Sequence, residues 1–160
     1  MSTANEIDFW LNRLAFRRVN PFVRENLGTA LDFFRGQMPA LEDATKEDFL
    51  RGIDLHKPVH QTMLQPGEKL AAYRQPGEAI FKLFYTRPGI YMDRLGINPA
   101  DRRFVRFRVR LPVSALVSTA SAVRDHWTMR GVTWQAGGGG LQFIIPHAQS
   151  ALEESCPARL

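Results

Sequence analysis

A chain of 160 residues with an apolar share of 44% is long enough for one domain with its own core and short for two. Its one cysteine excludes an internal disulfide and a cysteine-built metal site, and no apolar run approaches the ~20 residues that would span a bilayer. A net charge of +5, carried mostly by arginine, favours anionic partners without choosing among them.

The first twelve residues carry acids and no cationic start followed by an apolar block, so they do not read as a secretory signal. Helical spacing then dominates. Ile7, Trp10 and Leu14 recur near every 3.6 residues, as do Phe22, Leu27, Leu31 and Phe34, and Asn20-Pro21 has the chemistry of a helix start. A third helix is expected after a Thr45 cap, with Asp48 three residues on and Phe49, Leu50 and Ile53 as its stripe. None of these helices carries obvious chemistry, and a packing layer is the reading they support.

After His56 the texture becomes short apolar runs broken by Pro and Gly, the pattern of strands and turns. Arg103 to Leu111 alternates, with Val105, Phe107, Val109 and Leu111 on one face and Arg106, Arg108 and Arg110 on the other. Such a basic ridge suits RNA or an acidic inhibitor, and equally a solvated edge guarded by charge. Without aromatics clearly on the same face, nucleic acid is not ranked among the partners.

His56, His60, His126 and His147 form no dependable metal spacing, Pro58 interrupting the first pair, so no metal is expected. Cys156, close to Glu153 and Glu154, is not expected to be a nucleophile. Three short pieces suggest one site: Tyr73-Arg74 before a Pro-Gly turn, Phe84-Tyr85-Thr86 before another, and four glycines leading into Leu141-Gln142-Phe143. The glycines read either as a flexible turn or as backbone that a ligand must approach closely.

The segments "IDLHKPVHQTMLQPGEKLAAYRQPG", "FYTRPGIYMDRLGI", "PVSALVSTASAVRDHW" and "GGGGLQF" with "IIP" resemble, in order and spacing, the bacterial polymorphic toxin domain of type forty-six, which is similar to ADP-ribosyl toxins and NAD glycohydrolase effectors. The resemblance covers roughly residues 53 to 155. It implies an α+β fold: a helical N-terminal region, residues 1–56, then a catalytic domain, residues 57–160, with a split mixed or antiparallel β core of the ADP-ribosyltransferase-like type. It implies NAD or NADP as substrate, no other cofactor, and a cleft holding Tyr73, Arg74, Tyr85, Thr86 and Gln142. It further implies a cognate immunity protein, a secretion-system carrier, and synthesis in a bacterial cytoplasm before delivery to the cytoplasm of a target cell.

Within that frame Arg74 suits the pyrophosphate, since a guanidinium fork matches phosphate oxygens. Tyr85 and Trp127 are candidate ring faces for the cationic nicotinamide. Gly139 and Gly140 would let the dinucleotide approach. The resemblance leads one to expect Thr-Gln-Tyr after the glycines, where Leu141-Gln142-Phe143 stands, with Leu141 and Phe143 toward the core. Gln142 does not titrate, which favours hydrolysis by water over mono-ADP-ribosyl transfer to a protein or RNA. Transfer, and an inactive binding module, are the alternatives.

Overall fold

The structure, a computed structural model, describes residues 1–16, 19–97, 102–129 and 132–155, with backbone alone for 123–129 and 132–134. Three helices come first: α1 (Ala4–Arg13), α2 (Pro21–Gln37) and α3 (Asp43–Arg51). The start of α2 is as its sequence requires. Asn20 Oδ1 accepts from Val23 N at 2.8 Å, and Pro21 fills the first turn, where its missing N–H costs nothing. Phe22, placed on the apolar stripe by its spacing, instead stands 44% exposed in that first turn. Helix α3 begins before Thr45, with Glu42 at its cap and Asp43 in its first turn, so Thr45 lies inside the helix.

Among the described residues nine strands follow: β1 (His60–Leu64), β2 (Lys69–Arg74), β3 (Phe84–Tyr85), β4 (Arg103–Val109), β5 (Val113–Thr119), β6 (Val123–Met129), β7 (Val132–Ala136), β8 (Leu141–Ile144) and β9 (Leu152–Glu154). A 3₁₀ turn, Met92–Leu95, lies between β3 and β4, and α4 (Ala148–Ala151) between β8 and β9. The pairs are antiparallel and fall into sheets ordered β1-β5-β8-β3, β2-β4-β9 and β6-β7. The fold is therefore α+β with a split β core. Ala71 and Thr86 tie the first two sheets together by exchanging both backbone hydrogen bonds at 2.8 Å.

The four-stranded sheet is covered on both faces, which is why β5 and β8 read as nearly continuous apolar runs. On one face Leu116 and Ile144 pack with Leu27, Phe33 and Phe34 of α2 and Leu50 of α3. On the other, Val117 and Phe143 meet Leu70, Val105 and Phe107 of the second sheet. The helices thus complete a core begun by the strands. Asn26, buried on α2, reinforces this: its Nδ2 donates to the carbonyls of Leu55 and Lys57 at 2.9 Å, and its Oδ1 accepts from Val59 N.

In β4 the alternation holds for Val105, Phe107 and Val109, but Leu111 lies beyond the strand end and is 51% exposed. On the basic ridge Arg108 pairs with Glu153 of β9; at the start of β4 Arg103, outside the ridge, pairs with Glu154 at 3.4 Å. Arg110 donates to Ser150 O, and Arg106 lies over the exposed ring of Phe104, an aromatic on the ridge face. Cys156 lies outside the described residues.

Candidate active site

Where the two main sheets part, a cavity of ≈ 710 Å³ opens between the end of β2, the loop 75–83, β3 and the C-terminal end of α3. That size is within the ~300 to 1,000 Å³ range of ligand pockets. Tyr73, Arg74, Tyr85, Thr86 and Gln142 all line it, so the three pieces singled out by the sequence converge. Gly139 and Gly140 are not among the lining residues. Trp127 sits on β6 opposite Trp134, and its side chain lies outside what the structure describes.

Gln142 is 5% exposed. Its Nε2 donates to Gly52 O at 3.0 Å and to Ser118 Oγ at 3.1 Å. Because a backbone carbonyl can only accept, the nitrogen must be the atom facing Gly52, which orients the amide. The remaining polar atom, Oε1, is an acceptor. Gly52 O also accepts from Ser121 N at 3.0 Å, and Ser121 Oγ donates to Arg51 O, so the end of α3 is pinned to the link between β5 and β6.

Arg74 is 6% exposed, and its Nε and Nη2 donate to the carbonyls of Ile80 and Phe84. Two nitrogens of the fork are thus spent on backbone, tying the second half of the loop 75–83 and its exit into β3 back to the end of β2. Its guanidinium lies 5.0 Å from the centroid of the Tyr85 ring, whose other partner is the edge-on Phe107. Tyr85 is 2% exposed, so its ring is a packing surface for Arg74, and among described buried side-chain atoms its hydroxyl alone has no hydrogen-bond partner. Burial pushes the Tyr85 hydroxyl pKa up, opposed by the charge of Arg74; burial pushes that of Arg74 down.

Tyr73 donates to Ile90 O at 2.7 Å, which holds the segment ahead of the 3₁₀ turn, and burial raises its pKa. Thr86 is fully buried and donates to Leu141 O at 2.6 Å. Leu141, expected toward the core, is 37% exposed at the first position of β8, whereas Phe143 is buried. The half-buried rings of Phe49 and Phe84 meet edge to face at 5.3 Å on the cavity wall.

The glycine run is packed against protein. A Cβ on Gly138 would lie 2.6 Å from Ala122 N, and one on Gly140 2.7 Å from Arg94 O. Gly138 N and Gly140 N donate to Asp93 O and Arg94 O. At Gly140 the close neighbour is therefore the chain's own 3₁₀ turn; Gly139 (φ +86°) has open space at the Cβ position.

Several residues of the cavity carried no functional signal in the sequence: Phe49 and Gly52, a stripe residue and the cap of a helix with no visible chemistry, and Glu78 and Lys82, which follow the Pro-Gly turn after Tyr73-Arg74. The charged pair in the turn after "YRQPG" was the one available hint.

The family model for bacterial toxin 46 matches residues 16–151, from before α2 through α4. The chain belongs to the bacterial toxin 46 family. The match takes in α2 and α3, so the family likeness extends further toward the N-terminus than residues 53 to 155. Within that family setting, the chain is 30% identical over 131 residues to the NAD(P)(+) glycohydrolase toxin Tse6 of Pseudomonas aeruginosa, covering 76% of this chain and 30% of that protein. The chain thus corresponds to less than a third of the length of that relative. A solved structure of Tse6 in complex with Tsi6 shares the fold, with a TM-score of 0.71 at 27% identity over 87% of this chain and 100% of that one.

Proposed function

We propose that this toxin-family chain hydrolyses NAD or NADP, releasing nicotinamide and ADP-ribose or its phosphate, and that the cavity between the sheets is where it does so. The observation that carries the reading is the convergence of Gln142, the Phe49 and Phe84 rings and the Arg74-latched loop on one cavity of ≈ 710 Å³. The relative's NAD(P) glycohydrolase activity supports it.

The reaction asks little of a protein. Nicotinamide is a cation while attached and leaves neutral, so no general acid is needed, and the sugar passes through an oxocarbenium-like state. Positioning does most of the work. Gln142 Oε1, held by two hydrogen bonds through its nitrogen, is placed to accept from a ribose hydroxyl. Phe49 and Phe84 offer ring surface to the nicotinamide, the role that the sequence suggests for Tyr85 and Trp127. No cofactor enters this scheme.

Glu153 and Glu154, the two carboxylates after β8, pair with Arg108 and Arg103 in the other sheet, so neither stands beside Gln142 to activate a macromolecular acceptor. A cognate immunity protein belongs to the same proposal, supported by the solved complex of Tse6 with Tsi6, and delivery through a secretion-system carrier into a target cell is proposed with it. The test is NAD(P) content in a bacterium expressing the chain. Depletion is expected, and unchanged NAD(P) contradicts the reading.

A further inference from the structure

Resting on the hydrolase reading, we infer that Glu78 is a catalytic residue of this cavity, the carboxylate that takes the proton of the attacking water. Among the described lining residues Glu78 is the sole acid. Its side chain is 17% exposed, low for a carboxylate on a loop, and Lys82 Nζ approaches it at 3.7 Å. The loop that carries it is not free to drift, since Arg74 binds the carbonyls of Ile80 and Phe84 from β2. Gln142 cannot perform this step, because an amide does not accept a proton at neutral pH.

The step balances as follows. The bond from the ribose anomeric carbon to the nicotinamide nitrogen breaks, its electron pair passing to that nitrogen, which leaves uncharged. Water oxygen bonds to the anomeric carbon, one of its protons passes to the Glu78 carboxylate, and Glu78 later returns that proton to solvent. The negative carboxylate also faces the positive charge that develops on the sugar, a stabilisation that exists in the transition state and not in product.

The experiment compares NAD turnover by the full chain and its Glu78→Ala, Glu78→Gln and Glu78→Asp variants, with thermal melts to establish folding. A positioned base contributes on the order of 10² to 10⁴-fold, so kcat of Glu78→Ala and Glu78→Gln should fall by at least about 10²-fold with KM little changed. Glu78→Asp should fall between them and wild type. Added formate should restore part of the Glu78→Ala turnover, which a structural role would not allow. Turnover within about threefold of wild type, a loss confined to KM, or a loss that formate leaves untouched overturns the assignment alone. A wild-type chain that releases no nicotinamide overturns the hydrolase reading and the assignment with it.

Discussion

The amide nitrogen of Gln142 donates to the carbonyl of Gly52 at 3.0 Å, joining the last core strand to the end of a helix 90 residues earlier. The helical layer thereby sets the orientation of a side chain in the cavity. Gln142→Glu would turn a donor into an acceptor facing a carbonyl, losing this bond and setting two oxygens against each other, although Gly52 O keeps its bond from Ser121 N. We expect a loss of about 1 to 3 kcal/mol at neutral pH by urea unfolding; an unchanged midpoint would count against the pairing.

Asn26 makes the same link further back, satisfying Leu55 O, Lys57 O and Val59 N at once. Asn26→Ala strands two buried backbone groups and a part-buried one, and should cost about 2 to 3 kcal/mol. Thermal melts would show it, and NAD turnover should decline in the still-folded variant as the end of α3 shifts.

The glycine run offers a graded series. Gly138→Ala and Gly140→Ala drive a Cβ into the backbone of Ser121–Ala122 and of Arg94, and each should lower the melting temperature severely. Gly139→Ala, strained by its positive φ but with open space, should cost on the order of 1 kcal/mol, and Gly137→Ala should be nearly neutral. Equal effects at all four would contradict the packing described.

Arg74→Lys keeps a charge but not a fork that reaches two carbonyls. Faster amide exchange is expected across residues 75–83, with turnover down on the order of 10²-fold as the loop loses its latch. Exchange that matches wild type would remove the latch from the account.

Glu68 is held below its ordinary pKa of 4.5, first by the Gln65 backbone N–H and then by Arg87. A depressed carboxylate stabilises the fold above its unfolded pKa, and the contribution is lost as pH falls through the lowered value. Glu68→Gln should therefore melt below wild type at pH 7, and the two should converge in acid. A gap that persists in acid would point to another cause.

What the sequence revealed follows the range of the interactions involved. The Asn20-Pro21 start and the alternation of β4 were legible because caps and pleats are local. Tyr73, Arg74, Tyr85, Thr86 and Gln142 stand out together as three short pieces that the family resemblance joins into one cleft, and one cavity does hold them. Their individual bonds were not legible: whether Arg74 meets phosphate or the carbonyl of Ile80 depends on how the loop 75–83 folds back. Likewise, a missing Cβ in the sequence does not say whether ligand or the Arg94 backbone fills the space. Phe49 and Gly52 enter the site only because α3 ends against Ser121 and Gln142, a contact that no local pattern encodes.

The most direct measurement of the central claim is chromatographic release of nicotinamide from NAD by the purified chain beside its Gln142→Ala variant. The account predicts steady release by wild type and a loss on the order of 10²-fold in the folded variant. Equal release by both, or none by wild type, would contradict it.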